Sequence, residues 1–464
     1  MNLLSLNIDE IVEKGRKGFI TVAIHGLDIG GLILSAAFLK AGFIVIGVDR
    51  DSKRVIRLNH GILPKPYLPE LAPIFRKYVA EEKFRATINN TWASENSDIS
   101  IVMIPPEIKK TRSSYDVNLK NLLNVVKDVG KGMSTGSLIT IASSVPPGTT
   151  VKIVKPILEH LSGLRVEYDF ALGFYAEKAS ECSSLSSFIS QRHLISGFGA
   201  KSLRVLYGIF KAVFGENILS LNNITLAETM NILFKTYRDV IYAYVNSLVT
   251  YMKNIGVDIN LVTKYLPEIY GLEVPKPTAT VFSSEVFKET YILMKELGKQ
   301  NINYEVLRIA RETNEKIIEK IVELLAEAIT KIGKEPKNIK IAILGDAVKE
   351  NSSDPRNSVT KIIVNELLNA GIKKENIVVH DPFVIDDEEL KVELTVNLNQ
   401  AVKDADIILT LIPHKIYSEV TVSALKAMSG KERVVIVDVA NVLRKDTISL
   451  GLSYVGLGTP WYEA

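Results

Sequence analysis

The chain has a single cysteine, Cys182, among 464 residues. That excludes a disulfide within the chain and any metal site built from several thiolates, and it points to a reducing compartment. Charge of one sign is lacking as well: 56 basic against 53 acidic residues leave a formal net charge of +3. No electrostatic footprint for nucleic acid or an anionic membrane follows from that, and short basic clusters such as 108–112 read as solvated surface. Long apolar runs are also missing. The most membrane-like stretch, 19–48, is broken by His25, Asp28 and several glycines before the ~20 residues that a span requires. It lies behind a polar leader rather than at the start, so neither a signal peptide nor a transmembrane helix is expected, and the cytoplasm is the expected location. The six histidines show no paired spacing. His25 and His414 each end a strand and read as packed or solvated residues, and no metal site is expected. Scarce Cys and Gln with abundant Ile and Lys fit a heat-adapted source.

What is present is strand and helix in alternation. At about 100–200 residues per domain the length calls for two to four domains. The β-branched run 19–24 leads into a glycine-rich turn, an apolar helical stretch and a second buried strand at 43–49, which is a βαβ unit. Further buried strands are predicted at 100–105 and 137–144. From about 200 to 335 the apolar residues recur at helical spacing. The turn-rich segment 333–338 then opens a second series with strands at 339–346, 376–382, 405–413 and 433–441. The fold class expected is α/β: two Rossmann-like, doubly wound parallel-sheet domains, 1–205 and 336–464, joined by a central helical domain, 206–335.

The first turn carries chemistry. In a dinucleotide-binding turn one glycine permits the bend, a second lets the backbone approach the pyrophosphate, and a third lets helix and strand touch. Gly26, Asp28 and Gly31 occupy those three places, and Asp49, closing the next strand, stands where an acid takes ribose hydroxyls. A carboxylate about 4 Å from a phosphate charge costs ~4 kcal/mol at an effective dielectric of 20 and ~1 kcal/mol in water. Asp28 is therefore expected to cap the helix itself, accepting the N–H groups that would otherwise receive phosphate.

With these residues read, the sequence resembles the UDP-sugar 6-dehydrogenases, in particular the UDP-N-acetyl-D-mannosamine dehydrogenase branch. The resemblance runs through 25–51, SSVPPGTT (143–150), AETMNILFKTYRDV (227–240), AR followed by TN (310–314), 343–358 and HDPF (380–383), which spans nearly the whole chain. It implies NAD as cofactor, a UDP-sugar as substrate, a homodimer formed on the long central helix, and oxidation of a C6 alcohol to the acid through a cysteine-bound thiohemiacetal.

Carried over residue by residue, the resemblance places the nucleophile near Ser284 or Glu285, in a stretch that holds no cysteine. It places Asn231 at the position of a lysine that stabilises oxyanion charge and Lys235 at that of an asparagine. The two residue types have thus exchanged places one helical turn apart, and Lys235 reads either as a displaced cation or as a solvated lysine. Glu177, followed by Lys178 in place of arginine, matches an acid that assists the chemistry. Arg54 and Ser144 match cofactor contacts, whereas Pro106 replaces a threonine and cannot donate. Arg238 and Asn246 match substrate contacts on the helix, and Lys349 and Arg356 match residues that embrace the uridine diphosphate. Cys182 lies five residues beyond Glu177 with no basic partner nearby in sequence, so a structural thiol is expected over a relocated nucleophile.

Two readings stand side by side. One is an NAD-dependent nucleotide-sugar dehydrogenase with a remodelled site. The other is a non-catalytic relative that keeps the fold and a nucleotide-sugar pocket and serves as a regulator, or as a heteromeric partner of an active paralogue. Between them lies a protein that performs one two-electron step without the covalent stage.

Overall fold

The computed structural model describes residues 1–63, 70–110, 115–178, 182, 184–282, 287–446 and 448–463. The chain divides into two compact units, Met1–Lys235 with Tyr291–Ile302, and Thr236–Thr290 with Asn303–Ala464. Ser284 and Glu285 lie outside the described residues.

The first unit is built on an eight-stranded sheet. Its opening strand Thr21–His25 is flanked by Ile44–Val48 on one side and Ile99–Val102 on the other, both parallel to it. Phe84–Thr87 extends the first side, and Leu138–Ile141 and Ala171–Ala176 extend the second, again in parallel. His193–Gly197 then pairs antiparallel with Ala171–Ala176, and Ile218–Leu221 follows it. Chain direction changes sides at the opening strand, which makes its carboxyl end the crevice where an open α/β sheet takes ligands.

Behind the first turn, helix Ile29–Lys40 is buried without a break from Gly30 to Leu39. This explains the membrane-like composition of 19–48: the helix is apolar all round because protein surrounds it. Among the described residues no helix is long and apolar enough to cross a membrane. The close fit is set at Gly31, where a Cβ would stand 1.9 Å from the Gly26 carbonyl oxygen, so Gly31→Ala would push the helix off the strand.

The second unit carries a seven-stranded sheet. Ile341–Leu344 lies between Ile377–His380 and Ile407–Thr410, all parallel. Glu393–Thr395 extends one edge, and Val434–Asp438 and Leu452–Gly456 extend the other, with Tyr462–Glu463 closing it antiparallel. Helix Ile317–Ile332 lays Ile321, Leu324, Leu325 and Ala328 into the same core cluster as strand residues Ile341, Ile343, Val435 and Val437.

The helical region between the sheets includes Ile224–Asn254, Ile259–Tyr270, Lys288–Lys299 and Glu305–Glu315. All eight strands read from periodicity form. The short strands Phe84–Thr87, His193–Gly197 and Ile218–Leu221 were not read, the last because it falls inside a stretch predicted as helix.

Candidate functional site

At the first turn the structure brings together Gly26, Asp28, Gly31, Asp49 and Arg54. Asp28 is the N-cap of helix Ile29–Lys40, its carboxylate accepting the Gly31 N–H at 3.2 Å. A negative side chain therefore sits on the donor group and at the positive end of the helix dipole, where an anionic ligand gains most. Asp49 accepts the Leu27 N–H at 3.3 Å and the Asp51 N–H at 2.9 Å, and pairs with Arg54 at 3.1 Å. Arg54 also donates to the Leu27 carbonyl at 2.9 Å. The acid placed for ribose and the arginine placed for cofactor thus hold each other and the backbone of the turn. Glu177 lies over the same place: a Cβ on Gly30 would be 3.3 Å from its Oε1.

A second group forms beside the turn that contains SSVPPGTT. Asn231 Nδ2 donates to Ser144 Oγ at 3.0 Å and Lys235 Nζ donates to it at 3.4 Å. The exchanged pair, one turn apart on helix Ile224–Asn254, meets at one hydroxyl. What aligns them is Glu228, a residue the sequence reading did not single out. It is fully buried and accepts the Gly148 N–H at 2.5 Å and the Thr150 N–H at 2.9 Å, tying the turn to the helix three residues before Asn231. Burial raises its carboxyl above the usual range, against the pull of the Thr150 and Gly148 donors. A glutamate preceding an apolar helical stretch gives no sequence signal that separates a buried clamp from a solvated face.

Cys182 is buried, donates to the Lys178 carbonyl at 3.4 Å and accepts from Gln191 Nε2 at 3.3 Å. The structural reading of the thiol fits these contacts.

In the second unit Arg238 places its guanidinium 5.9 Å from the Tyr242 ring centre. Asn246 is enclosed instead in a polar network. It donates to Asn314 Oδ1 at 2.9 Å and to the Thr278 carbonyl at 3.3 Å, and accepts the Thr278 N–H at 3.1 Å. The network centres on Asp239, which pairs with the buried Arg311 at 2.8 Å and accepts from Thr290 and Asn314 at 2.6 and 2.7 Å. Burial raises the Asp239 carboxyl, while Arg311, Thr290 and Asn314 oppose the rise. The AR and TN residues of 310–314 are thus scaffold. Removing either member of the Asp239–Arg311 pair would strand a buried charge at about 3–5 kcal/mol.

At the carboxyl ends of Ile341–Leu344, Ile407–Thr410 and Val434–Asp438 lies a crevice of about 400 Å³, lined by Lys276, Asn351, Lys415, Ser418 and Asn441 among others. It sits where the second sheet changes direction, the position at which such sheets take ligands. Lys276 Nζ reaches the Asn441 carbonyl at 3.4 Å, and Asn351 accepts the Lys415 N–H at 3.0 Å. His414 backs this wall: the Asn351 N–H occupies its Nδ1 at 2.9 Å, so the proton lies on Nε2 and is donated to Asp381 at 3.0 Å. Lys349 is half-buried near the crevice in sequence, and Arg356 forks onto Asp354 at 2.9 and 2.7 Å. Among the described residues no group of His, Cys, Asp or Glu is placed to hold a metal ion.

Two sheets of this kind, each opening on a glycine turn with an acid closing its second strand, define a two-domain protein of the dinucleotide-binding fold. The chain belongs to the UDP-glucose/GDP-mannose dehydrogenase family: the model for the family's NAD binding domain matches residues 20–214 and that for its UDP binding domain matches residues 342–445. It is similar to the UDP-N-acetyl-D-mannosamine dehydrogenase of Pyrococcus horikoshii, 25% identical over 94% of this chain and 99% of that one. It is similar also to the UDP-N-acetyl-D-glucosamine 6-dehydrogenase of Salmonella typhi, 24% identical over 91% and 96%. The solved NDP-N-acetyl-D-galactosaminuronic acid dehydrogenase of Methanosarcina mazei superposes with a TM-score of 0.71 at 26% identity, covering 98% of both chains.

Proposed function

We propose that this protein is a nucleotide-sugar-binding member of the family in which the four-electron oxidation of a C6 alcohol to the acid is absent. One observation carries the proposal: the only thiol in the chain, Cys182, is buried and engaged with Lys178 and Gln191. Without an accessible thiolate the aldehyde stage has no covalent trap. The carboxylate of Asp28 at the helix start supports weakened NAD binding, and the crevice beside Lys276 and Lys415 supports retention of a nucleotide ligand.

The three-part division at 205/206 and 335/336 is proposed for the domains, with strand Ile218–Leu221 of the second part completing the sheet of the first. Association is part of the same reading. Helix Ile224–Asn254 exposes Leu226, Met230, Leu233, Tyr237, Tyr244 and Tyr251 at intervals of three, four or seven residues, a seam suited to a second helix. A second copy of this chain or an active paralogue would cover it. Light scattering of the purified chain tests the first.

The decisive experiment is calorimetric titration with UDP, a panel of UDP-sugars and NAD, followed by absorbance at the NADH wavelength with sugar and NAD together. The expected result is UDP-sugar binding with no NADH. Release of two NADH per sugar would overturn the proposal, and release of one would leave the single two-electron step.

A further inference from the structure

Three aspartates gather at the first turn of the second sheet, and two of them have donors to hold a charge. Asp381 accepts the backbone N–H groups of Asp346, Ala347, Phe383 and Val384 and the His414 imidazole. Asp387, its side chain 4% exposed, has Lys361 Nζ at 3.1 Å, a cation that also reaches Glu389 at 2.6 Å. Asp346 is enclosed completely, and neither of its carboxyl oxygens has a donor among the described residues. What it does meet is the carboxyl of Asp387, within hydrogen-bond reach. Two enclosed carboxylates in such contact do not both ionise, so one proton lies between them, and the acid without a donor keeps it. Asp346 therefore donates to Asp387.

This hydrogen bond stands at the root of a long connection. Asp346 opens the segment 346–358, which contains no helix or strand and ends at Ser358, the cap of helix Val359–Asn369. Glu350 and Asn351 of this segment line the crevice at the carboxyl ends of the strands. Besides Asp346 to Asp387, the segment is tied down by the Asp346 and Ala347 N–H groups on Asp381, at 2.7 and 3.0 Å, and by the Asn351 N–H on His414, at 2.9 Å. An anion at Asp346 would face Asp387 and Asp381 at once. Lys361, on helix Val359–Asn369, holds Asp387 in place, so the irregular segment is the part that yields.

We propose that the proton shared by Asp346 and Asp387 is a latch: while it is present, segment 346–351 lies closed and completes the wall of the crevice, and its loss frees the segment and weakens binding there. The effect on binding rests on the nucleotide-sugar reading above; the opening of the segment does not. Burial first, and then Asp387 and Asp381, raise the Asp346 pKa to about 8 against the pull of Lys361, so the latch releases at mildly alkaline pH.

The test compares the full chain with Asp346→Asn, which keeps a donor toward Asp387 and cannot ionise. Hydrogen exchange of peptides covering 346–351 is followed by mass spectrometry at pH 6.5 and pH 9, and comparison of the two proteins at one pH cancels the intrinsic exchange chemistry. The two should exchange alike at pH 6.5. At pH 9 the wild type should exchange about tenfold faster, the ratio of ionised to neutral acid one unit above the midpoint. Asp387→Asn removes the facing charge and offers an amide donor, and it should behave as Asp346→Asn does. Equal exchange at pH 9, or faster exchange confined to 385–390, would overturn the latch. Calorimetric titration with UDP-glucose should show equal affinity of wild type and Asp346→Asn at pH 6.5 and about tenfold weaker binding by the wild type at pH 9. Equal affinity at pH 9 beside faster exchange would overturn the link to binding. Failure of both proteins to bind UDP-glucose at pH 6.5 would remove the nucleotide-sugar reading, with hydrogen exchange still deciding the latch.

Discussion

Both sheets leave their first strand through a glycine of nearly the same backbone angle, Gly26 at φ +110° and Gly345 at φ +106°. An aspartate follows in each, Asp28 or Asp346, and another closes the second strand, Asp49 or Asp381. The closing acid takes backbone N–H from the turn in both cases: Asp49 from Leu27 at 3.3 Å, and Asp381 from Asp346 and Ala347 at 2.7 and 3.0 Å. The acid inside the turn is where the sheets part. Asp28 faces the start of a helix and caps it. In the second sheet the next helix begins only at Val359 with Ser358 as its own cap, so Asp346 has no helix end to serve. It is fully buried, and neither carboxyl oxygen accepts a hydrogen bond among the described residues. Burial first, and then the charges of Asp387 and Asp381, push its pKa up to about 8. An aspartate close behind the turn glycine thus caps a helix in one sheet and is buried without a donor in the other, decided by which N–H groups lie in reach.

The largest expected effect tests the shared half of this comparison. Asp381 accepts from the backbone N–H groups of Asp346, Ala347, Phe383 and Val384 and from His414, all within 3.0 Å. Burial alone would raise its pKa, but the His414 hydrogen bond and the Asp346 and Val384 donors hold it below the usual range. Asp381→Ala should cost about 3–5 kcal/mol, read as a shift in the urea midpoint. Asp49→Ala should cost about 1–3 kcal/mol, because the Asp49 and Arg54 side chains keep 11% and 19% exposure and water repairs part of the loss. Equal costs would mean that the two closing acids are not the same device.

Asp346 sharpens the difference through pH. Its folded pKa is raised from 3.8 to about 8, so between those values the folded state holds a proton that the unfolded state has released. Stability must then fall as pH rises through this window and level off above it. Asp346→Asn keeps the shape without the ionisation. It should flatten that fall, gaining ~1–3 kcal/mol over the wild type near pH 8–9, as measured by urea unfolding across pH 5–9. Parallel profiles for the two proteins would show that Asp346 is ionised in the fold.

Much of this was legible in the sequence, and the reason is periodicity. Buried parallel strands are continuous apolar runs, so the opening strands of both sheets declared themselves, as did the glycines and the acid at Asp28. Sequence also placed Asn231 and Lys235 one helical turn apart, yet it could not show that both reach Ser144, because that contact joins residues 87 and 91 positions apart. Asp346, Glu228 and Arg311 stayed hidden for a related reason. A charged residue in a turn or on a helix face normally belongs to water, and only the packed chain shows which ones are enclosed. Asn246 matched a substrate contact by position, whereas its amide in the fold holds Thr278 and Asn314.

The smallest change in stability accompanies the most informative change in binding. Asp28→Gly restores the second glycine of the dinucleotide turn and removes the cap. Glycine is itself a tolerated N-cap, so the loss should be only a few tenths of a kcal/mol. The gain lies in the phosphate charge that no longer meets a carboxylate. Even at the dielectric of water the repulsion at about 4 Å is ~1 kcal/mol, so NAD should bind at least about fivefold tighter to the variant by calorimetry. Asp28→Asn separates the two contributions, since its side-chain oxygen keeps the Gly31 N–H while the charge is gone. It should recover the electrostatic part of the affinity and none of the closer backbone approach. If wild type, Asp28→Asn and Asp28→Gly bind NAD alike, the carboxylate swings clear of the diphosphate in the complex. The first sheet would then be a working dinucleotide site whose acid caps the helix only when the cofactor is away.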